Sequence, residues 1–196
     1  MEAVKRGNPM SESSVAKKLG KYNKTVILKD GSSLLLRPIQ NNDETKISSL
    51  FHRLSRSTIY LKFCQEVGQL SKEELTGFCN VDYYDIFALV ATIRVKTEER
   101  IIAVARYSRR PGECSAELAP VVEDIYQERG IGTHLLEHLA DIARQNGIRA
   151  FVGDVLSENQ TMLNVLKTSG FEAQEELGQG ICRVKGEINL QVHQMR

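Results

Sequence analysis

The most informative stretch of the chain is Gln127-Glu128-Arg129-Gly130-Ile131-Gly132-Thr133, a Q-x-x-G-x-G motif at the start of an amphipathic helix. Its glycines carry no Cβ atom, so the backbone can approach a ligand closely. The unpaired N–H groups of the first helical turn and the helix dipole favour an anion there. The motif predicts a site for a phosphorylated ligand. The alternative is a tight strand-to-helix turn that holds none.

Two common nucleotide-binding motifs do not fit this spacing. The dinucleotide motif G-x-G-x-x-G needs a third glycine, and that position is Leu135. The P-loop needs Gly-Lys followed by Ser or Thr, and the sequence has no such tripeptide.

The composition predicts a soluble globular protein with one main domain. The chain has 196 residues, 41% of them apolar, and a formal net charge of +1. This charge gives no basic field for nucleic acid, and no apolar run is long enough for a membrane. Because the N-terminus lacks an apolar signal segment, we expect a cytoplasmic protein. We expect residues 1–22 to form a flexible tail and residues 23–196 to form the domain.

The cysteines and histidines do not predict a metal site. The four cysteines are scattered without a C-x-x-C pair, at Cys64, Cys79, Cys114 and Cys182. His134 and His138 are one helical turn apart but lack the H-E-x-x-H arrangement. We therefore expect reduced thiols and no metal.

Hydrophobic periodicity and turn signals predict a mixed α/β domain. A hairpin with an Asp30-Gly31 turn comes first, and three helices follow, near 43–54, 55–63 and 71–78. Asp43 is predicted to cap the first of these helices and Ser71 the third. The remaining elements are strands near 86–95, 101–108 and 115–122, a helix at 131–145, a strand at 151–156, a helix at 159–169, and strands near 172–177 and 182–190.

This order of elements, with Q-x-x-G-x-G after the strand at 115–122, resembles the GNAT acetyltransferase superfamily. Ala116–Val122 looks like the fourth strand of that family, and Gln127–Gly132 looks like its pyrophosphate loop. Asn159, Met162 and Gly170-Phe171 match a further motif. The resemblance covers about Leu34 to the C-terminus. It implies a central, mostly antiparallel sheet with flanking helices and a splayed fourth strand.

A narrower likeness is to the Pat-type bacterial protein lysine acetyltransferases. It is carried by Leu36-Arg37-Pro38-Ile39, Leu54-Ser55, Tyr60-Leu61-Lys62-Phe63, Asp82-Tyr83 and Ala88-Leu89-Val90-Ala91. Pat-type proteins often carry a fused regulatory domain. Since only a short tail precedes the first strand, we expect no fused domain and no control by one.

The resemblance implies acetyl-CoA as the donor. Its pyrophosphate is expected on the backbone N–H groups from Arg129 through Gly130, Ile131 and Gly132 to Thr133, and its pantetheine arm beside the strand near Leu118–Val122. The predicted donor-binding residues are Val121, Val122, Gln127, Arg129, Gly130, Ile131, Gly132, Thr133 and Asn159, with the Val121 N–H a candidate for the thioester oxyanion. Pro120 is expected to mark a local irregularity. Glu128 would repel a pyrophosphate unless it points outward.

Glu117 is the predicted general base for an amine acceptor, and the acceptor is expected to be a protein lysine. Glu117 lies in an apolar strand, where burial would raise its pKa, and it matches a glutamate of the Pat-type motif. The alternative is a surface salt bridge. Glu113, Glu123 and Asp124 are the reserve candidates.

Two features leave other functions open. Many family members use a tyrosine as the general acid for the CoA thiolate, and this chain has Leu166 at that position. The thiolate is therefore expected to leave unaided, since an ordinary thiol pKa is about 8.5. Cys114 allows a covalent acetyl-cysteine route, although direct transfer is favoured. A small-molecule amine acetyltransferase and a catalytically weak acyl-CoA-binding module are the alternative functions.

Overall fold

The computed structural model describes residues 19–63, 70–176 and 180–188. Within these ranges, eight strands are present: β1 (Lys24–Ile27), β2 (Ser33–Pro38), β3 (Ile86–Val95), β4 (Glu98–Arg109), β5 (Ser115–Val122), β6 (Ala150–Leu156), β7 (Glu172–Glu176) and β8 (Ile181–Glu187). The helices described there are α1 (Glu44–Arg53), α2 (Arg56–Phe63), α3 (Lys72–Cys79), α4 (Ile131–Gln145) and α5 (Gln160–Thr168). This order confirms the predicted mixed α/β fold. Some predictions concern residues outside the described part. These are residues 1–18 of the predicted tail, Cys64, Leu177 at the end of a predicted strand, and residues 189–196.

The strands form one sheet in the order β1-β2-β3-β4-β5-β6-β8-β7. All neighbours are antiparallel except β5 and β6, which are parallel. Alternate residues of β3 face opposite sides, as strand geometry requires. Phe87 and Leu89 pack in the core that α4 and α5 cover, whereas Ala88 and Val90 pack in the core beneath α1.

β5 and β6 pair only over a short stretch, from Ser115↔Ala150 to Glu117↔Val152. Beyond Glu117 the strands diverge, which confirms the predicted splayed strand. The irregularity predicted at Pro120 is not a bulge toward β4. The β4–β5 register runs without a shift through Ala105↔Pro120. The proline instead lies on the half of β5 that has no partner in β6.

The helix-cap predictions have different outcomes. Ser71 and Glu74 form the predicted capping box at α3. Asp43 occupies the N-cap position of α1, but its side chain makes no cap hydrogen bond. Its carboxylate accepts hydrogen bonds from Arg37 at 2.7 and 2.9 Å and from the Gln40 N–H at 2.9 Å. A buried ion pair, which local sequence cannot reveal, has taken the place of the cap.

Tertiary packing explains the Gly170-Phe171 pair. Gly170 has a φ of 84° after α5 and so turns the chain in the left-handed region. The Phe171 ring then lies over Gly186 of β8, where an added Cβ would come within 2.5 Å of ring carbons. This pair therefore fixes α5 against the end of the sheet beside β6.

The edges of the described part add two observations. Tyr22, at the end of a 3-10 turn, packs edge-to-face on Phe87 with ring centroids 5.4 Å apart. No helix in residues 19–63, 70–176 and 180–188 has the length and apolar character to cross a membrane.

Candidate active site

A cleft of about 1090 Å³ opens where β5 and β6 diverge. It is lined by the unpaired half of β5, the loop before α4, the middle of β6, the start of α5 and one face of α2. Every predicted site residue lines it: Glu117, Val121, Val122, Gln127, Arg129, Gly130, Ile131, Gly132, Thr133 and Asn159. The fold therefore brings together residues that the sequence analysis took from three separate segments.

The two glycines of the loop have different structural roles. Gly130 is the N-cap of α4 and has a φ of 83°, a left-handed conformation that glycine adopts without strain. Gly132 lies inside the first turn of α4. A Cβ added there would sit 3.6 Å from Val165 Cγ1, which is ordinary contact. The turn itself therefore requires Gly130, whereas protein packing does not require Gly132.

Glu128 is exposed on the rim of the cleft and has a φ of 61°. A residue with a Cβ in this region is uncommon and costs conformational energy. Its neighbour Arg129 is also exposed and lies 3.5 Å from the Asp30 carboxylate. The Arg129 guanidinium stacks over Tyr126, 5.4 Å from the ring centroid. The loop thus presents one cation and one carboxylate beside the helix N-terminus.

Gln127 and Asn159 hold backbone in place at the cleft. The Gln127 amide donates to the Val122 carbonyl at 3.1 Å and so ties the loop to the end of β5. The Asn159 side chain accepts a hydrogen bond from the Met162 N–H at 3.1 Å and caps α5. Both side chains therefore bond to the protein backbone and so hold the walls of the cleft in position.

Glu117 lies at the point where β5 and β6 separate, and its side chain is exposed in the cleft. The prediction that Glu117 is buried is therefore wrong. Sequence alone indicated an apolar strand, but the strand beside Glu117 diverges and leaves the carboxylate uncovered. Glu117 faces the half-buried Lys62 of α2. Lys62 appeared in the sequence analysis only as part of the Pat-type likeness.

Two of the three reserve carboxylates are engaged elsewhere. Glu123 is 3% exposed and forms ion pairs with Arg53, at 3.0 Å, and with Arg100. Asp124 accepts hydrogen bonds from α2. Glu113 is exposed and lines the same cleft as Glu117.

Asp124 attaches α2 to the loop side of the cleft. Its carboxylate accepts from the Ser55 N–H at 2.9 Å, the Ser55 hydroxyl at 2.6 Å and the Thr58 hydroxyl at 2.7 Å. The Gln127 amide lies 3.4 Å from the same Thr58 oxygen. Burial alone would raise the pKa of Asp124, but these hydrogen bonds hold it below its usual value. The carboxylate therefore stays ionised and fixes the start of α2.

Replacing Asp124 with alanine is expected to lower the free energy of unfolding by about 1–2 kcal/mol, because the start of α2 loses its acceptor. Chemical denaturation measures this change. Glu137→Ala on the exposed face of α4 is the control and should change stability by less than about 0.5 kcal/mol. Equal effects of the two substitutions would contradict the attachment of α2 by Asp124.

Three further features of the sequence analysis can be located in the described ranges. Leu166, at the position of the family tyrosine, is 3% exposed and packs in the core. Cys114 is exposed, and it is not among the described residues that line the cleft. In the described ranges, no three His, Cys, Asp or Glu side chains group as a metal would need. His138 instead contacts the Tyr22 carbonyl at 2.6 Å.

Comparisons with known proteins agree with this geometry. Residues 59–171 match the acetyltransferase (GNAT) family. The chain is 30% identical over 149 residues to Acetyltransferase PA5475 of Pseudomonas aeruginosa, covering 76% of this chain and 80% of that protein. It is 32% identical over 155 residues to Acetyltransferase Pat of Mycolicibacterium smegmatis, covering 78% of this chain but only 46% of the longer relative.

Solved structures show the same fold. The GNAT domain of S. lividans PAT superposes with a TM-score of 0.78 at 30% identity, covering 85% of this chain and 97% of that domain. A Salmonella typhimurium yncA structure, determined with acetyl-CoA, shares the fold with a TM-score of 0.61 at 15% identity, covering 81% of this chain and 96% of that one. The chain therefore belongs to the GNAT acetyltransferase family and is an acetyl-CoA-dependent N-acetyltransferase that resembles the catalytic domain of Pat-type proteins.

Proposed function

We propose that the cleft transfers the acetyl group of acetyl-CoA to a protein lysine by direct attack, with Glu117 as the general base. The observation that carries this proposal is the divergence of β5 from β6 immediately after Glu117. It opens one cleft. The loop from Gln127 to Thr133 forms one part of the cleft wall, and the exposed Glu117 carboxylate lies at another. A donor and an acceptor can meet there without further rearrangement of the sheet.

The donor is proposed to bind along β5 and the loop. The N–H groups from Arg129 to Thr133 would receive the pyrophosphate at the positive end of α4. The unpaired half of β5, with Val121 and Val122, offers backbone groups to the pantetheine arm. Gln127 and Asn159 would support this site through the Val122 carbonyl and the start of α5.

Charge at the loop also suits a polyanionic donor. Lys29 and Arg129 both line the cleft. Lys29 comes from the turn between β1 and β2, which the Arg129–Asp30 contact brings close to the loop. Long cationic side chains at this rim would add attraction for phosphate groups to the backbone contacts.

Acetyl transfer needs a neutral amine. An ordinary lysine, with a pKa of about 10.4, is almost wholly protonated at neutral pH, so a base must take its proton. Glu117 is exposed to an incoming side chain and is proposed to do this directly or through water. The nitrogen then attacks the thioester carbonyl, the Val121 N–H stabilises the oxyanion, and CoA leaves as a thiolate. Buried Leu166 offers no proton to that thiolate.

Protein lysine is proposed as the acceptor because the Pat-type likeness extends beyond the shared family motifs. Ser55 and Lys62, which belong to that likeness, stand at the anchored start of α2 and in the cleft wall. The alternative is a small-molecule amine acceptor. The third possible function is an acyl-CoA-binding module with weak catalytic activity. The buried Leu166 favours it, because leucine cannot act as a general acid.

An acceptor panel separates these readings. Free-thiol release from acetyl-CoA would be followed with lysine-containing proteins, polyamines and amino acids. Mass spectrometry of a lysate supplied with labelled acetyl-CoA would then locate acetyl-lysines that depend on Glu117. Turnover of polyamines or amino acids without protein acetylation would overturn the lysine proposal. Calorimetry that detected acetyl-CoA binding without any turnover would support the binding module.

Replacing Glu128 with glutamine is expected to tighten acetyl-CoA binding by about 2–5-fold at low salt. The carboxylate lies at a helix N-terminus, where a negative charge competes with a bound anion for about 0.3–1 kcal/mol. Titration calorimetry at two salt concentrations measures the change, which should shrink at high salt. Glu137→Gln, which removes an exposed charge on α4 outside the cleft, should leave affinity unchanged. Weaker binding by Glu128→Gln would contradict repulsion at this position.

A further inference from the structure

Lys62 is placed in the wall of the proposed active site. It lies in the last turn of α2, is half-buried, and lines the same cleft as Glu117. Thr58, one helical turn earlier, contacts Gln127 in the loop before α4. Residues four apart share a helix face, so Thr58 and Lys62 both face the cleft. α2 also packs against β6, so the helix that carries Lys62 lies against one of the two diverging strands.

We propose that Lys62 is a self-acetylation site, whose amine takes the acetyl group from acetyl-CoA bound in the same cleft. This proposal rests on the proposed function, because it uses the same donor and the same base. It differs in the acceptor, which is a residue of the protein itself. An amine held in the cleft needs no second binding event, and this proximity raises the probability of reaction.

The surroundings of the amine favour this reaction. Among the described residues, Glu117 of β5 and Arg106 of β4 act on its charge. Burial lowers the pKa of Lys62 to about 8, while Glu117 opposes the shift and Arg106 adds to it. A group with this pKa is about half neutral at pH 8, whereas an ordinary lysine is well under about one per cent neutral there. Lys62 therefore offers a neutral nucleophile beside a carboxylate.

The reaction is a simple acyl transfer. The Lys62 nitrogen forms an amide bond with the acetyl carbon, and the carbon–sulfur bond of the thioester breaks. The electron pair of that bond leaves with CoA as a thiolate. The proton lost by the nitrogen passes to Glu117 and then to solvent or the thiolate. The products are Nε-acetyl-Lys62 and free CoA, so no oxidant or further reactant is needed.

Intact-mass measurement tests this proposal with the full chain and acetyl-CoA alone. We expect the mass of one acetyl group to appear, and peptide mapping to place it on Lys62. The gain should be lost in Lys62→Arg and strongly slowed in Glu117→Gln. It should persist in Lys72→Arg, which changes an exposed lysine of α3 that is not among the residues lining the cleft. Because transfer is within one cleft, the rate per molecule should not change on dilution.

The outcomes separate this inference from the proposed function. Thiol release with external acceptors but no acetyl group on Lys62 would overturn the inference and leave the function standing. No thiol release and no modification would overturn both. Equal modification of Lys62 in wild type and Glu117→Gln would mean chemical acetylation by acetyl-CoA, and a rate that falls on dilution would mean transfer between molecules. Either result overturns transfer within the cleft.

Discussion

Glu117→Gln is expected to lower kcat/KM for acetyl transfer at neutral pH by about 10²–10⁴-fold, the usual contribution of a positioned base. Glutamine keeps the size of the side chain but cannot accept the amine proton. Glu117 is exposed in the cleft, and glutamine has nearly the same volume, so the fold should not change. Free-thiol release measures the rate, and calorimetry should show an unchanged affinity for acetyl-CoA.

Two controls, the substitution of a second carboxylate and a pH series, test whether the loss of activity is due to the missing base. Glu113→Gln removes another exposed carboxylate of the same cleft and should leave most of the activity. The activity of Glu117→Gln should recover as the pH rises, since a free lysine then loses its proton unaided. Full activity of Glu117→Gln at neutral pH would show that the base is wrongly assigned. A comparable loss in Glu113→Gln alone would point to that reserve candidate.

Features with a local cause were predictable from sequence. The apolar stripe of α4 predicts a helix because it repeats at the helical period, and Ser71-Lys72-Glu73-Glu74 predicts a helix start because its two ends cap each other. The loop from Gln127 to Thr133 was located in the same way, since Gly130 supplies a left-handed turn. These signals act over a few residues, so they can be recognised without knowledge of the tertiary structure.

Features that depend on tertiary contacts were missed or misjudged. The exposure of Glu117 depends on where β6 leaves β5, which the sequence of β5 does not encode. The approach of Lys62 to Glu117 depends on Asp124, which holds α2 in place from a distant part of the chain. Nothing near Lys62 in the sequence marks it as part of the cleft. Charged residues that meet through folding therefore need a structure to be recognised.

The largest stability effect is expected at the buried pair of Arg37 and Asp43. Arg37 is 6% exposed and Asp43 is fully buried. Both carboxylate oxygens of Asp43 accept from the Arg37 guanidinium, whose remaining face donates to Glu99 at 2.9 and 2.7 Å. Asp43→Asn leaves a buried guanidinium with one of its two anionic partners. We expect a loss of about 3–5 kcal/mol in the free energy of unfolding, measured by urea denaturation.

A surface pair and acid titration test whether the buried charges cause this loss. Asp141→Asn breaks the half-exposed pair with Arg144 and should cost less than about 1 kcal/mol.

The hydrogen bond from Arg37 lowers the pKa of Glu99 to about 2, and Arg37 holds the pKa of Asp43 below its usual value despite burial. Carboxylates with lowered pKa values stabilise the fold above about pH 4.5, and this stabilisation is lost as the pH falls toward 2. Wild-type stability should therefore fall over this range, and Asp43→Asn should fall less steeply. An equally steep fall in the variant, or a cost no larger than that of Asp141→Asn, would contradict a stabilising role for the buried charge.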